Sequence, residues 1–151
     1  MARQLRPEPG DVVEIDVDGK KAALQYIGRD ERYGDVVRVL GFLELGDENV
    51  SFDERVADGY VAYYPLCDSV RAGRTRVVGR CMADLKLPER VRKPVFRPGG
   101  GIGGWIVVEG DSQRSVEALT AAERCLPIQL LFSHASMVRR LRKGWRPEDE
   151  G

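Results

Sequence analysis

The feature that most limits the possible folds is a period-two hydrophobic pattern that reverses at a turn near the N-terminus. Residues 11–17 read Asp-Val-Val-Glu-Ile-Asp-Val, and from Val13 onward apolar and acidic side chains alternate, as in a strand with one buried face. Asp18 and Gly19 follow and favour a two-residue hairpin turn, because glycine adopts positive φ at little cost. Residues 20–28 then form the predicted return strand.

A third strand extends this hairpin into a meander. Residues 34–45 are rich in valine and leucine, and such a continuous apolar run is typical of a strand buried on both faces. Further strands are predicted at residues 56–66, 75–82 and 104–109. Residues 87–98 contain three prolines and are therefore predicted to be a loop or an edge segment.

One helix is predicted near the C-terminus. Ser133 is a suitable N-cap, Met137 and Leu141 have helical spacing, and Gly144 ends the pattern. The predicted fold class is α+β and mainly β: an antiparallel meander, or a partly open barrel-like sheet, with the C-terminal helix packed on it. The predicted domain organisation is a lead-in at 1–9, one β-rich domain at 10–145 and a flexible tail at 146–151.

Composition indicates a cytoplasmic protein. The chain has 151 residues, which fits one domain with a real core. No apolar run approaches the ~20 residues that a membrane-spanning helix needs, and the first ten residues lack the apolar stretch of a secretory signal. Three cysteines without C-x-x-C spacing favour reduced thiols over disulfides or zinc.

The candidate reactive residues do not combine into a catalytic motif. His134 is the only histidine, and its neighbour Ser133 does not make a nucleophile–base pair, because such groups must converge in space. Cys67 has no histidine near it in sequence and is expected to be a buried, inert thiol. The glycine run at 99–104 leads into Trp105, not into the Lys-Ser/Thr of a phosphate-binding loop. We therefore predict a non-enzymatic protein with no metal and no cofactor.

Charge is distributed unevenly along the chain, although the totals balance. Residues 8–58 contain fourteen Asp and Glu against six Lys and Arg, a net charge of −8, and residues 71–97 contain nine basic residues against two acidic ones, a net charge of +7. If the two segments fold side by side, much of their charge cancels locally. If they lie on opposite faces of the protein, one charged face could recruit a partner of opposite charge.

Two partner hypotheses follow from these segments. The first is an acidic protein-binding surface, with Trp145 as an aromatic anchor. Its candidate acidic residues are Asp47, Glu48, Asp53, Glu54 and Asp58. The alternative is a nucleic-acid-binding β module that uses Arg71 to Arg97. An isoelectric point near 6.6 and a single aromatic residue in that stretch, Phe96, weigh against nucleic acid.

Several short segments, taken in order, form a recognisable series. They are residues 10–15, 25–30, 34–39, 77–79, 87–88, Phe96, 104–105, 126–128 and the final helix through Met137, Val138, Arg140 and Leu141. In these segments the chain resembles a family of bacterial polymorphic-toxin immunity proteins, family 26, over roughly residues 10–144. The resemblance implies a β-rich fold that binds and neutralises a cognate toxin domain made by the same cell, and no catalytic residues come with it.

Overall fold

The computed structural model describes residues 6–44 and 52–150, and within them eight strands form two antiparallel sheets. The predicted fold class, α+β and mainly β with a C-terminal helix, is confirmed, and neither sheet closes into a barrel. The first sheet has the order β4-β3-β2-β1-β5 and contains β1 (Asp11–Val17), β2 (Lys20–Asp30), β3 (Gly34–Leu43), β4 (Tyr60–Tyr63) and β5 (Thr75–Arg80). The second has the order β6-β7-β8 and contains β6 (Arg90–Phe96), β7 (Ile102–Glu109) and β8 (Ser112–Val116). The helices are α1 (Leu66–Arg71), α2 (Ala121–Arg124) and α3 (His134–Lys143).

The predicted meander is present, and its first turn has the expected geometry. Val17 pairs with Lys20 across the hairpin, and both turn residues have positive φ, 56° at Asp18 and 87° at Gly19. A two-residue turn with both φ angles positive matches the right-handed twist of the flanking strands. The third strand, predicted to be buried on both faces, is buried from Asp35 through Leu40.

The first sheet is covered on both faces. On one face, Val13, Ile15 and Leu24 pack with Met137 and Leu141 of α3, which is the helix packing that the sequence predicts. On the other face, one cluster joins Val12, Ala23, Leu40 and Cys81, and another joins Ile27, Val36 and Tyr63 to Val91 of the second sheet.

Two buried polar side chains, Gln25 and Arg38, hold the segment that covers this second face. Gln25 is fully buried and donates through Nε2 to the carbonyl oxygens of Cys81 and Ala83, both at 2.8 Å. Arg38, only 6% exposed, donates to Gln25 Oε1 at 2.7 Å and to the Asp84 carbonyl at 2.8 Å. Residues 81–84, which we call the strap, are thereby held across β2 and β3.

The segment at 127–132 connects the two sheets. Ile128 forms a parallel bridge with Arg92 of β6, and Leu131 forms one with Tyr63 of β4. The second sheet is therefore joined to the first through this segment. The strands left unpaired on one side, among the described residues, are β5 in the first sheet and β8 in the second.

Residues 146–150 make specific contacts with the domain, although the sequence analysis places them in a flexible tail. Pro147 is buried in a 3-10 helix, Pro147–Asp149. The guanidinium group of Arg92, which has no exposed surface, donates to the carbonyls of Pro147 and Glu150 and to that of Arg124 at the end of α2. Flexibility of the tail stays a prediction, but its backbone contributes acceptors to a buried cation.

Local signals account for the helices and for the boundaries that differ from prediction. Ser133 caps α3 by accepting from Ser136 N at 3.1 Å, and Gly144 ends it with φ 65°, as predicted. The helix α2 was not predicted, although its capping box of Thr120 and Glu123 is visible in the sequence. The predicted strand at 56–66 is shorter, Tyr60–Tyr63.

Replacing Arg38 by methionine should destabilise the fold by about 2–3 kcal/mol, because it leaves the buried Gln25 oxygen and a strap carbonyl without a charged donor. Urea denaturation would measure the loss. Arg71→Met is the matched control: Arg71 is 62% exposed and pairs with Asp68, so its loss should cost less than about 1 kcal/mol. Equal stabilities of the two variants would contradict the role given to Arg38.

Candidate protein-binding surface

The acidic and basic segments of the chain lie side by side in the first sheet. Strand β1 belongs to the acidic segment and β5 to the basic one, and they pair antiparallel. Arg76 forms an ion pair with Glu14 at 2.7 Å, and Arg80 lies 3.5 Å from Asp11. Much of the charge asymmetry read from the sequence therefore cancels locally.

Most of the remaining basic side chains between 71 and 97 are also engaged. Arg71 pairs with Asp68, Lys86 with Glu89 and Arg90 with Glu109, and Arg92 is buried. Phe96 is 59% exposed at the end of β6. Because paired and buried cations contribute little to the surface potential, the basic stretch offers a weaker electrostatic footprint than its sequence indicates.

The acidic candidates that the structure describes are exposed. Asp53 and Glu54 lie on a 3-10 helix, Phe52–Arg55, and Asp58 follows it. The thiol of Cys81 donates to Asp53 Oδ1 at 3.0 Å, and this hydrogen bond connects the 3-10 helix to the strap. Asp47 and Glu48 lie outside the described residues.

Trp145 is placed differently from an exposed anchor. Its ring makes edge contacts with Tyr60 and Phe132, each at 5.6 Å between centroids, and the Arg140 guanidinium lies 5.1 Å from its ring. It is partly buried and packs against the core cluster below α3. The structure thus places Trp145 in the packing between the last helix and β4.

An open groove of about 800 Å³ lies over the first sheet, between β5, the β1–β2 hairpin and the end of β3. Its apolar lining comes from Val77 and Val78 of β5, Leu43 and Phe52. The Phe52 ring also packs on Gly79, where a Cβ atom would lie 2.8 Å from Cε2. The acidic 3-10 helix is therefore attached to the same strand that forms the groove wall.

Charged side chains surround this apolar lining. They are Glu14, Lys20, Lys21, Glu44 and Arg76. The groove could not be predicted from the sequence, because its walls come from segments distant in the chain. The one local signal was the pair Val77-Val78, which interrupts the alternation of β5 and coincides with a bulge opposite Val12 and Val13.

The cysteines nearest to the core are protected thiols. Cys67 is 7% exposed; burial and then the negative charge of Asp35 raise its pKa. For Cys81, burial and then the hydrogen bond to Asp53 raise the pKa. Since the thiolate is the nucleophilic form, these environments disfavour attack by either sulfur.

His134 is bound to a tyrosine at the start of α3. Its Nδ1 lies 2.8 Å from the hydroxyl of Tyr64, a fully buried residue. Burial, and then the positive charge of Arg74, lowers the pKa of His134. The pair joins α3 to the segment before α1.

Comparisons with known proteins add no identification. No family model, no curated protein and no solved structure matches this chain. Within residues 6–44 and 52–150, no helix is long and apolar enough to cross a membrane, and no group of three or more His, Cys, Asp or Glu residues is arranged to hold a metal ion.

His134 should make stability depend on pH between about 7 and 5. A histidine whose pKa is lowered by folding binds its proton more readily in the unfolded chain. Stability is therefore complete above the unfolded pKa and falls as the pH drops through 6.5 toward the lower folded value. Urea denaturation at pH 7.5 and 5.5 should show a smaller loss for His134→Gln than for the wild type.

The single histidine makes this comparison clean, since no second imidazole titrates in the same range. Lys20→Gln serves as the control, because it replaces an exposed side chain that is not an imidazole. If His134→Gln lost as much stability as the wild type between pH 7.5 and pH 5.5, the proposed contribution of His134 to the pH dependence would be excluded.

Proposed function

We propose that this protein is a non-enzymatic binding protein of the immunity type, which binds a toxin domain made by the same cell and blocks it stoichiometrically. The observation that carries the proposal is the pair of exposed valines, Val77 and Val78, on the edge strand β5 beside an open groove, with the acidic 3-10 helix Phe52–Arg55 packed against the same strand. Exposed apolar surface with a charged rim is typical of protein interaction sites.

The local arrangement of charge supports a protein partner over a nucleic acid. Contact with many phosphates needs a continuous cationic surface, whereas Arg76 and Arg80 on β5 are paired with carboxylates of β1. The reactive groups support binding over catalysis. Cys67 is buried with a raised pKa, and His134 is paired with Tyr64.

The direct test of the proposal is protection of a bacterial host. A secreted protein with a variable C-terminal toxin domain should be encoded beside this gene, and expression of that domain alone should stop growth. Co-expression of this protein should restore growth and yield a one-to-one complex by light scattering. Absence of such a neighbour, or a toxic domain that this protein neither binds nor blocks, would refute the immunity function.

Reversing acidic charge near the groove should slow association with a basic toxin domain. The double variant Glu54→Lys/Asp58→Lys should lower the association rate constant at low salt by about tenfold or more, because steering depends on complementary charge. Stopped-flow fluorescence at low and high salt would measure it. Asp111→Lys/Glu117→Lys makes the same charge change at other exposed positions, and an equal decrease there would rule out a local acidic surface.

Fluorescence polarisation with labelled single-stranded and duplex oligonucleotides tests the nucleic-acid alternative. We expect no binding at micromolar protein near physiological salt. Binding whose logarithmic affinity falls steeply with logarithmic salt concentration would favour phosphate contacts and the alternative function. Arg74→Glu/Arg97→Glu, which changes two exposed cations of the basic stretch, would then be expected to abolish it.

A further inference from the structure

We propose that residues 145–150, which we call the clasp, hold the second sheet against the first, and that release of the clasp lets the second sheet open while the first sheet stays folded. This inference goes beyond the proposed binding function and does not depend on it. It starts from Arg92 of β6, a residue with no exposed surface whose guanidinium group is always charged in proteins.

Backbone carbonyl groups hold the charge of Arg92. Its Nε donates to the carbonyl of Leu126 at 3.4 Å and its Nη2 to that of Arg124 at 3.0 Å, both at the end of α2. The other two acceptors belong to the clasp: the carbonyl of Glu150, 2.6 Å from Nη1, and the carbonyl of Pro147. Because a buried charge is stable only when its donors are satisfied, the position of β6 depends on that of the clasp.

The clasp also contacts the first sheet. Trp145 makes an edge contact with the ring of Tyr60 of β4, at 5.6 Å between centroids. Arg146 donates to the carbonyl of Asp58, just before β4, at 2.8 Å. Within the clasp, Trp145 Nε1 donates to the carboxylate of Glu150 at 3.3 Å. This short segment therefore connects β4 in the first sheet to β6 in the second.

Few apolar side chains hold the second sheet in place. Its buried apolar residues are Val91, Trp105 and Val107, and the Trp105 ring stacks on the guanidinium group of Arg92 at 4.1 Å. The first sheet, by contrast, buries apolar side chains on both faces. Elements with little buried apolar surface open first in local unfolding, so the second sheet is the unit expected to open.

Arg92 couples release of the clasp to loosening of the second sheet. While the clasp is in place, its carbonyls and the packing around them exclude water from the guanidinium group. Once the clasp leaves, water reaches this group and replaces the carbonyls of Arg124 and Leu126 as acceptors, because hydration of a charged group is strongly favourable. The hydrogen bonds between β6 and the end of α2, and the stacking on Trp105, are then lost together.

Native-state hydrogen exchange of the wild-type protein, at urea concentrations below the unfolding transition, tests whether the second sheet opens separately. The amides of β6 and β7 should open at least about tenfold more often than those of β2 and β3, and their opening should depend less on urea, because it exposes less surface. The clasp amides of Asp149 and Glu150, which are bonded to carbonyls of Arg146 and Pro147, should open no less often than those of β6.

The variant Pro147→Gly tests the clasp itself. Pro147 is buried in the 3-10 helix of the clasp, and glycine gives the released backbone more conformational freedom without changing Arg92. In urea titrations followed by ¹⁵N–¹H spectra, the signals of β6 and β7 should disappear at a urea concentration about 0.5 M or more below those of β2 and β3. Pro98→Gly is the matched control, since Pro98 is exposed in the turn after β6, and it should leave this interval as in the wild type.

Two results would overturn the inference. They are equal opening constants with equal urea dependence for the four strands of the wild type, and simultaneous loss of all four sets of signals in Pro147→Gly. If Pro147→Gly does not fold, the exchange measurement on the wild-type protein decides the question alone. Because neither measurement needs a binding partner, their failure leaves the growth-protection test unaffected.

Discussion

The buried hydrogen bond between Gln25 and Arg38 is the interaction that allows the first sheet to be buried on both faces. Strands β2 and β3 bury both faces, and a buried amide and a buried guanidinium are tolerated only when their hydrogen bonds are satisfied. The strap at 81–84 supplies the acceptors. Since β5 leads directly into the strap, the same contacts fix the end of β5, and with it the groove wall and the 3-10 helix that Cys81 binds through Asp53.

The net charge of the surface around β1 and β5 depends on how these two strands pair. An acidic strand, β1, lies against a basic one, β5, and the resulting ion pairs remove charge from both. The exposed side chains of β5 are Val77 and Val78 and the ion-paired Arg76 and Arg80. A chain with strongly charged segments thus presents a sheet edge whose charges are largely paired, with acidic side chains on the neighbouring 3-10 helix. Such a surface suits recognition of a polypeptide better than recognition of a phosphate backbone.

The elements that sequence analysis predicted are those whose signals are local. The turn at Asp18-Gly19, the alternation of β1 and the caps of α3 at Ser133 and Gly144 each need only a few neighbouring residues. The strand β8, Ser112–Val116, carries no hydrophobic alternation, so pairing with β7 alone defines it. The groove also escaped prediction, because which strand ends a sheet depends on contacts between distant segments. The acidic candidates Asp53, Glu54 and Asp58 are exposed, whereas Trp145 packs against the core.

The contact between the last helix and the first turn has a consequence for synthesis. Arg142 of α3 donates to both carboxylate oxygens of Asp18, a residue 124 positions earlier in the chain. On the ribosome, the meander therefore emerges long before the helix that covers one of its faces. During that interval the nascent sheet exposes Val13, Ile15 and Leu24, which favours association with other unfolded chains and recruitment of chaperones. Expression at low temperature or with holdase chaperones should consequently improve the yield of folded protein, while truncation before α3 should leave an aggregating fragment.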